Sequence, residues 1–195
     1  MKVRMLLSAG VVLAGLVGIT AANMNRGRQN QGPACPVIAP SIELTEAETL
    51  NILHMREEEK LARDVYLVMY ELWGANVFAN ISQSEQRHMD AVKNLILRYG
   101  LIDPVVDDTV GEFTNPDFKT LYDELVAAGS VSLDEALKVG VRIEELDITD
   151  LEQALTETSA PDVQKVFENL LNGSYNHLDA FTRCLEGGCM CLSCM

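Results

Sequence analysis

Glu85 and His88 stand three residues apart, about one helical turn, in the stretch ISQSEQRHMDAVKNLILRY (81–99). Within it Ile81, Glu85, His88, Val92, Leu95 and Tyr99 alternate steps of four and three, which places them on a single helical stripe. A carboxylate and an imidazole inside an apolar stripe must be satisfied, because burying an unpaired charge is costly. A metal ion would satisfy both, and so would a salt-bridged pair at the surface of a helical assembly; Glu-x-x-His alone does not choose. Three further stripes carry the same kind of interruption. Glu59 lies among Ile52, Met55, Ala62, Tyr66, Met69 and Trp73, and Glu144 among Leu133, Leu137, Val141, Ile148, Leu151 and Leu155. His177 lies among Val163, Phe167, Leu170, Ser174, Phe181 and Cys184. Glu58 and Glu145 replace Glu59 and Glu144 if either register is off by one. Convergence of Glu59, Glu85, His88, Glu144 and His177 would set three carboxylates and two imidazoles around one point, where two divalent ions would supply the compensating charge.

The elements that must position these groups are all helical. Thr45 and Glu48 spell a capping box, so a first helix is expected over 46–73, stopped by Gly74. A short link over 74–79 predicts an antiparallel return through Tyr99-Gly100. Residues 101–130 hold Pro104, Gly111 and Pro116 and read as one long crossover with a small helix over 117–128. Ser132 and Glu135 spell a second capping box for a helix over 133–158. Ala160-Pro161 turns the chain into a last helix over 162–185, closed by Gly187-Gly188. The expectation is an all-α fold, a four-helix bundle with one long crossover carrying a short extra helix.

The ends read differently. Lys2 and Arg4 precede an apolar run over 5–19, and Thr20-Ala21-Ala22 offers a cleavage site, a secretory signal over 1–22. Export to the periplasm or outside the cell is therefore expected, with membrane attachment only if the signal stays uncleaved. Residues 23–43 form a Gly- and Pro-containing linker, 44–186 the bundle, and 187–195 a tail with Cys189, Cys191 and Cys194. Five cysteines leave one without an intrachain partner; the tail reads as a disulfide-linked end before a zinc site, which prefers four ligands. A net charge of −14 argues against a nucleic-acid partner and suits a protein that handles cations. A homodimer is compatible with the sequence.

REEEKLARDVY (56–66), NISQSEQRHMDAV (80–92), VGVRIEELDITDLEQAL (139–155) and NGSYNHLDAF (172–181) resemble the ferritin-like di-iron carboxylate superfamily. Within it they look closest to a family of bacterial and archaeal proteins catalogued as a domain of unknown function. The resemblance covers about residues 44–185. It implies Glu59, Glu85, His88, Glu144 and His177 as metal ligands and places Tyr66, seven residues after Glu59, near the metals as a candidate catalytic residue. Tyr66 is equally readable as core packing with a satisfied hydroxyl. The sequence departs from the superfamily at Ser174, where a second Glu-x-x-His would need a Glu. A hydroxyl is a weak ligand beside a carboxylate, so the second ion is expected to be held less tightly or completed by water, and one ion is an alternative to two. Oxygen and imidazole donors suit Fe or Mn, with Zn as an alternative.

Three functions compete: a metalloprotein that oxidises Fe²⁺ with O₂ or peroxide, a metal-sequestering protein without turnover, and a metal-free structural bundle whose Glu and His pair with one another. His54 reads as surface rather than ligand, Asp147 and Asp150 as solvated or peripheral to the ligands, and Met55 and Met69 as core.

Overall fold

A computed structural model describes residues 43–188. The expected signal segment, almost all of the linker, and Cys35, Cys189, Cys191 and Cys194 lie outside the described residues. Five α-helices and no strand are present among them: α1 (Glu46–Trp73), α2 (Asn76–Tyr99), α3 (Pro116–Gly129), α4 (Leu133–Glu157) and α5 (Pro161–Arg183), followed by a π-type turn, Cys184–Gly188. No helix of the described residues is long and apolar enough to cross a membrane.

Local chemistry sets the helix ends. Thr45 and Glu48 form the reciprocal capping box that the sequence predicts for α1. At the second expected box Ser132 accepts from the Glu135 amide at 3.1 Å, but the Glu135 carboxylate takes the Lys138 ammonium at 2.7 Å instead. Gly74 and Gly100 close α1 and α2 in the left-handed conformation, at φ 62° and 66°. α2 starts at Asn76, earlier than expected, because Phe78 extends its buried stripe toward the N-terminus.

Packing joins α1 to α2, α2 to α5, α5 to α4, and α4 back to α1, with α3 seated against α1 and α4. The apolar interior falls into two clusters. One gathers Leu61, Val65, Met69, Phe78, Ile143 and Phe181; the other gathers Ile52, Val92, Leu95, Leu151, Phe167 and Leu170. Along each of the four long helices the two clusters are separated by buried polar residues: Glu59, Glu85, Glu144 with Asp147, and Ser174 with His177. The core is thus two oily compartments with a charged layer between them.

Glu48 shows how much one buried carboxylate organises. Its Oε2 accepts from the Thr45 amide at 2.7 Å, while Oε1 accepts from the Ser159 and Ala160 amides at 2.7 and 2.9 Å. Ala160, which precedes α5, offers no cap of its own, so α1 caps α5 from across the fold. Burial would raise the Glu48 carboxyl, but these backbone donors outweigh it and hold it at about 2 instead of 4.5. A depressed native pKa contributes stability above the unfolded value that is lost as pH falls through the native one. Glu48→Ala is therefore expected to cost about 2–3 kcal/mol at neutral pH. Urea midpoints of the two proteins should converge as pH falls from 4.5 toward 2. A gap that stays constant over that range would refute the assignment.

Candidate metal centre

Helical register carries the candidate residues into the charged layer. Glu85 and His88 leave α2 one turn apart, Glu59 comes from α1, Glu144 from α4 and His177 from α5. His88 Nδ1 lies 3.1 Å from Glu59 Oε2 and 2.8 Å from Glu85 Oε2. His177 Nδ1 lies 2.8 Å from Glu85 Oε1 and 3.5 Å from Glu144 Oε2. Two three-residue groups, Glu59–Glu85–His88 and Glu85–Glu144–His177, therefore share Glu85, and in each the donor atoms lie within 4.8 Å of one another. The two imidazoles stack with ring centres 5.5 Å apart. All five predicted residues meet here. Glu145, the alternative to Glu144, faces solvent.

Hydrogen bonding leaves the layer incompletely satisfied. Glu59 Oε1, Glu85 Oε1, Asp147 Oδ1 and His177 Nδ1 are buried with no hydrogen-bond partner. The His177–Glu85 contact is short but does not have hydrogen-bond alignment. Native interiors seldom leave such atoms orphaned without a ligand or functional reason.

Burial and the neighbouring charges act on these groups in opposite directions when protons alone balance the cluster. Burial pushes the Glu59 carboxyl up to about 8 against the pull of His88. Burial and the Glu85 charge push Glu144 to about 7. Glu85 goes the other way: burial would raise it, yet the His177 and His88 rings that flank it hold it near 2. Burial alone would lower both imidazoles, but the carboxylates around them raise His88 to about 11 and His177 to about 9. Glu85 is thus the ionised centre between two imidazolium rings.

Tyr66, fully buried, donates from its hydroxyl to Glu144 Oε1 at 2.6 Å. Burial and the Glu144 charge push the phenol well above its usual range, so it stays a donor. Its observed role is to fix one Glu144 oxygen, leaving Oε2 toward His177. Gly173 has a different structural reason: a Cβ there would sit 2.6 Å from His88 Nε2 and Cε1. The bare α5 backbone makes room for the far edge of that ring while Nδ1 turns to the carboxylates.

Asp147 corrects the expectation that it is solvated or peripheral. It is buried in the layer, and burial together with the charges of Glu59, Glu58 and Glu144 pushes its carboxyl well above the usual range. Ser174 donates to Asp147 Oδ2, so the short residue on α5 faces an acid supplied by α4. A Glu-to-Ser departure at 174 was the available signal, since a small side chain opposite Asp147 leaves it space. His54 also departs from expectation, and Glu58, the alternative to Glu59, belongs to neither inner group. Both belong to a second cluster with Asp150, and His54 is largely buried against Phe118 rather than standing on the surface. The two glutamates that precede Glu59 have separate tasks, because Glu57 Oε1 accepts from the Thr114 and Asn115 amides at the start of α3, at 2.8 and 3.0 Å.

An all-helical domain whose four long helices converge buried glutamates and histidines on one layer is the class that fold and site define. The chain belongs to the family described as uncharacterized protein domain DUF2202, whose profile matches residues 48–191. It is similar to uncharacterized protein MJ0754 of Methanocaldococcus jannaschii, 51% identical over 147 residues, which are 75% of this chain and 80% of the relative. The crystal structure of hypothetical protein MJ0754 from Methanococcus jannaschii superposes with a TM-score of 0.75 at 50% identity, over 76% of this chain and 85% of that one.

Proposed function

We propose that this chain is an exported, ferritin-like metalloprotein, a four-helix bundle with one crossover that holds two divalent ions, Fe or Mn with Zn as an alternative. Glu59, Glu85 and His88 would hold one ion, Glu85, Glu144 and His177 the other, with Asp147 as a further donor. One observation carries the reading: each of two ring nitrogens faces carboxylate oxygens from two different helices, and Glu85 offers one oxygen to each group. An imidazole N–H carries one proton and makes one straight hydrogen bond. A cation accepts every one of those donors together, and it gives the orphaned oxygens a partner. Charge agrees as well, since Glu59, Glu85, Glu144 and Asp147 carry −4 when ionised and two divalent ions carry +4.

The surrounding residues fit such a site. Tyr66 orients Glu144 from the second layer, Ser174 orients Asp147, and Gly173 keeps His88 in place. The two apolar clusters flank the layer on either side along the helices. Bound iron would supply one-electron chemistry toward O₂ or peroxide. A metal-free structural role is the weaker reading, because Glu–His pairing alone leaves Glu59 Oε1, Glu85 Oε1 and Asp147 Oδ1 buried without partners.

Full-length protein loaded anaerobically with Fe²⁺ and desalted is expected to retain iron at two core equivalents per chain. Exposure to O₂ or peroxide should then give a ferric absorbance whose rate falls at least tenfold in His88→Ala. Continued consumption of peroxide would mark turnover, and a single stoichiometric event would mark sequestration. Protein that retains no Fe, Mn or Zn, with a melting temperature indifferent to chelator, would leave only the structural role.

A further inference from the structure

His54, Glu58 and Asp150 form a cluster that shares no residue with the proposed pair of ions. His54 and Glu58 lie one turn apart on α1, and Asp150 comes from α4. His54 Nε2 stands 3.3 Å from Glu58 Oε2 and 3.3 Å from Asp150 Oδ2. The three donor atoms all lie within 4.8 Å of one another. The Nε2–H of His54 aligns with Asp150, so Glu58, at the same distance from that nitrogen, receives no hydrogen bond from it. The Glu58 side chain is 2% exposed, and neither of its oxygens makes a hydrogen bond. A buried carboxylate in that state is the unmet demand in the cluster.

The position is different from that of the inner layer. His54 and Asp150 side chains are 21% and 33% exposed, so the cluster opens to solvent on one side and ends on Glu58 on the other. Phe118 packs on the His54 ring with centres 5.2 Å apart and fixes its direction. Glu144, Asp147 and Asp150 follow one another at steps of three along α4, from the inner layer to this outer cluster, and Glu58 is close enough to Asp147 for their charges to interact. A cation with oxygen and nitrogen donors would neutralise Glu58 and Asp150 together, with water completing its coordination on the open side.

We propose that His54, Glu58 and Asp150 form a third divalent-cation site, solvent-facing and sharing no ligand with the inner pair. Its ion binds more weakly than the inner ions because water competes for two of its three donors.

Mn²⁺ binding to the full-length protein, counted by the loss of the free-ion electron paramagnetic resonance signal, tests the site. Three equivalents are expected for the wild type, the last at least tenfold weaker. His54→Ala combined with Asp150→Asn should bind one equivalent fewer, and Glu58→Gln, nearly isosteric, should do the same. Glu85→Ala should retain the outer equivalent, so failure of the inner site leaves this one countable. Helical circular dichroism confirms that each variant is folded. If folded Glu58→Gln and the double variant both bind as many ions as the wild type, or if Glu85→Ala binds none, the outer site does not exist. If the wild type binds one ion that the double variant loses, the outer site stands and the inner pair fails.

Discussion

Glu85→Ala is expected to weaken binding of both proposed inner ions by more than about a hundredfold, whereas Glu59→Ala and Glu144→Ala should each weaken mainly one. The asymmetry follows from the cluster's connectivity. Glu85 directs Oε2 to His88 and Oε1 to His177, each at 2.8 Å, while Glu59 and Glu144 each reach a single ring. Loss of an outer-layer orienting residue already costs about 10–100-fold in metal affinity, so loss of a donor shared by two ions should exceed that. The fold should survive, because His88 keeps Glu59 and His177 keeps Glu144. An ion present at about a thousand times its Kd adds about 4 kcal/mol to a folded protein. For a domain of this size that corresponds to roughly 8–16 °C per ion, from about 2–4 °C per kcal/mol. The metal-induced rise in melting temperature should therefore lose most of both inner contributions in Glu85→Ala, leaving mainly what the outer ion supplies, and lose about one inner ion's share in Glu59→Ala. Calorimetric titration with Mn²⁺ and melting with and without chelator measure both quantities. Equal losses in the three variants would mean that Glu85 is not shared.

The five residues of the inner layer were legible because each interrupts a stripe whose remaining members are apolar, and helical period alone brings such members to a common face. Asp147 was harder to read. It follows Glu144 by three, which keeps it on the same side of α4, but the apolar stripe continues through Ile148 and leaves Asp147 at the margin. Only the shape opposite, Ser174 in place of a longer acid, identifies it as an inward group. His54 and Asp150 carry no local sign of each other, since their contact spans 96 positions. Least legible of all was the middle of α1. Around Glu59, residues 56–58, 60, 63 and 64 are all charged, a composition that hydropathy assigns to solvent, yet all of them are buried. Several of them find partners in the crossover: Arg56 on Asp103, Lys60 on the Thr109 carbonyl, Glu57 on the start of α3. A helix face made of charges can be interior when a long connection returns to cover it, and hydropathy has no term for that.

The same face gives the largest expected loss of stability, at Asp64. Asp64 is fully buried, and its Oδ1 accepts from Arg63 Nε at 2.9 Å and Nη2 at 2.7 Å. Oδ2 accepts from Lys60 Nζ at 2.5 Å and from the Gly111 amide at 3.0 Å. Asp64→Ala would leave Arg63 with Asp108 and Gln86 near the surface, but Lys60, 1% exposed, with only the Thr109 carbonyl at 2.9 Å and the face of Phe113 at 4.6 Å. Removing one partner of a buried ion pair costs about 3–5 kcal/mol, because the surviving charge is desolvated without compensation. The expected fall in melting temperature is about 6–20 °C. Asp64→Asn, which keeps the shape and an acceptor for Gly111, should lie between the two. The double variant Lys60→Met, Asp64→Leu should recover much of the loss, because it removes the stranded cation along with its partner. Gly111 ties the crossover to α1 through Asp64, so amide exchange around residues 109–114 should accelerate in Asp64→Ala before α2 or α5 is affected. If Asp64→Ala instead melts within about 2 °C of the wild type, Lys60 must find water or another acid, and the crossover is held by its other contacts.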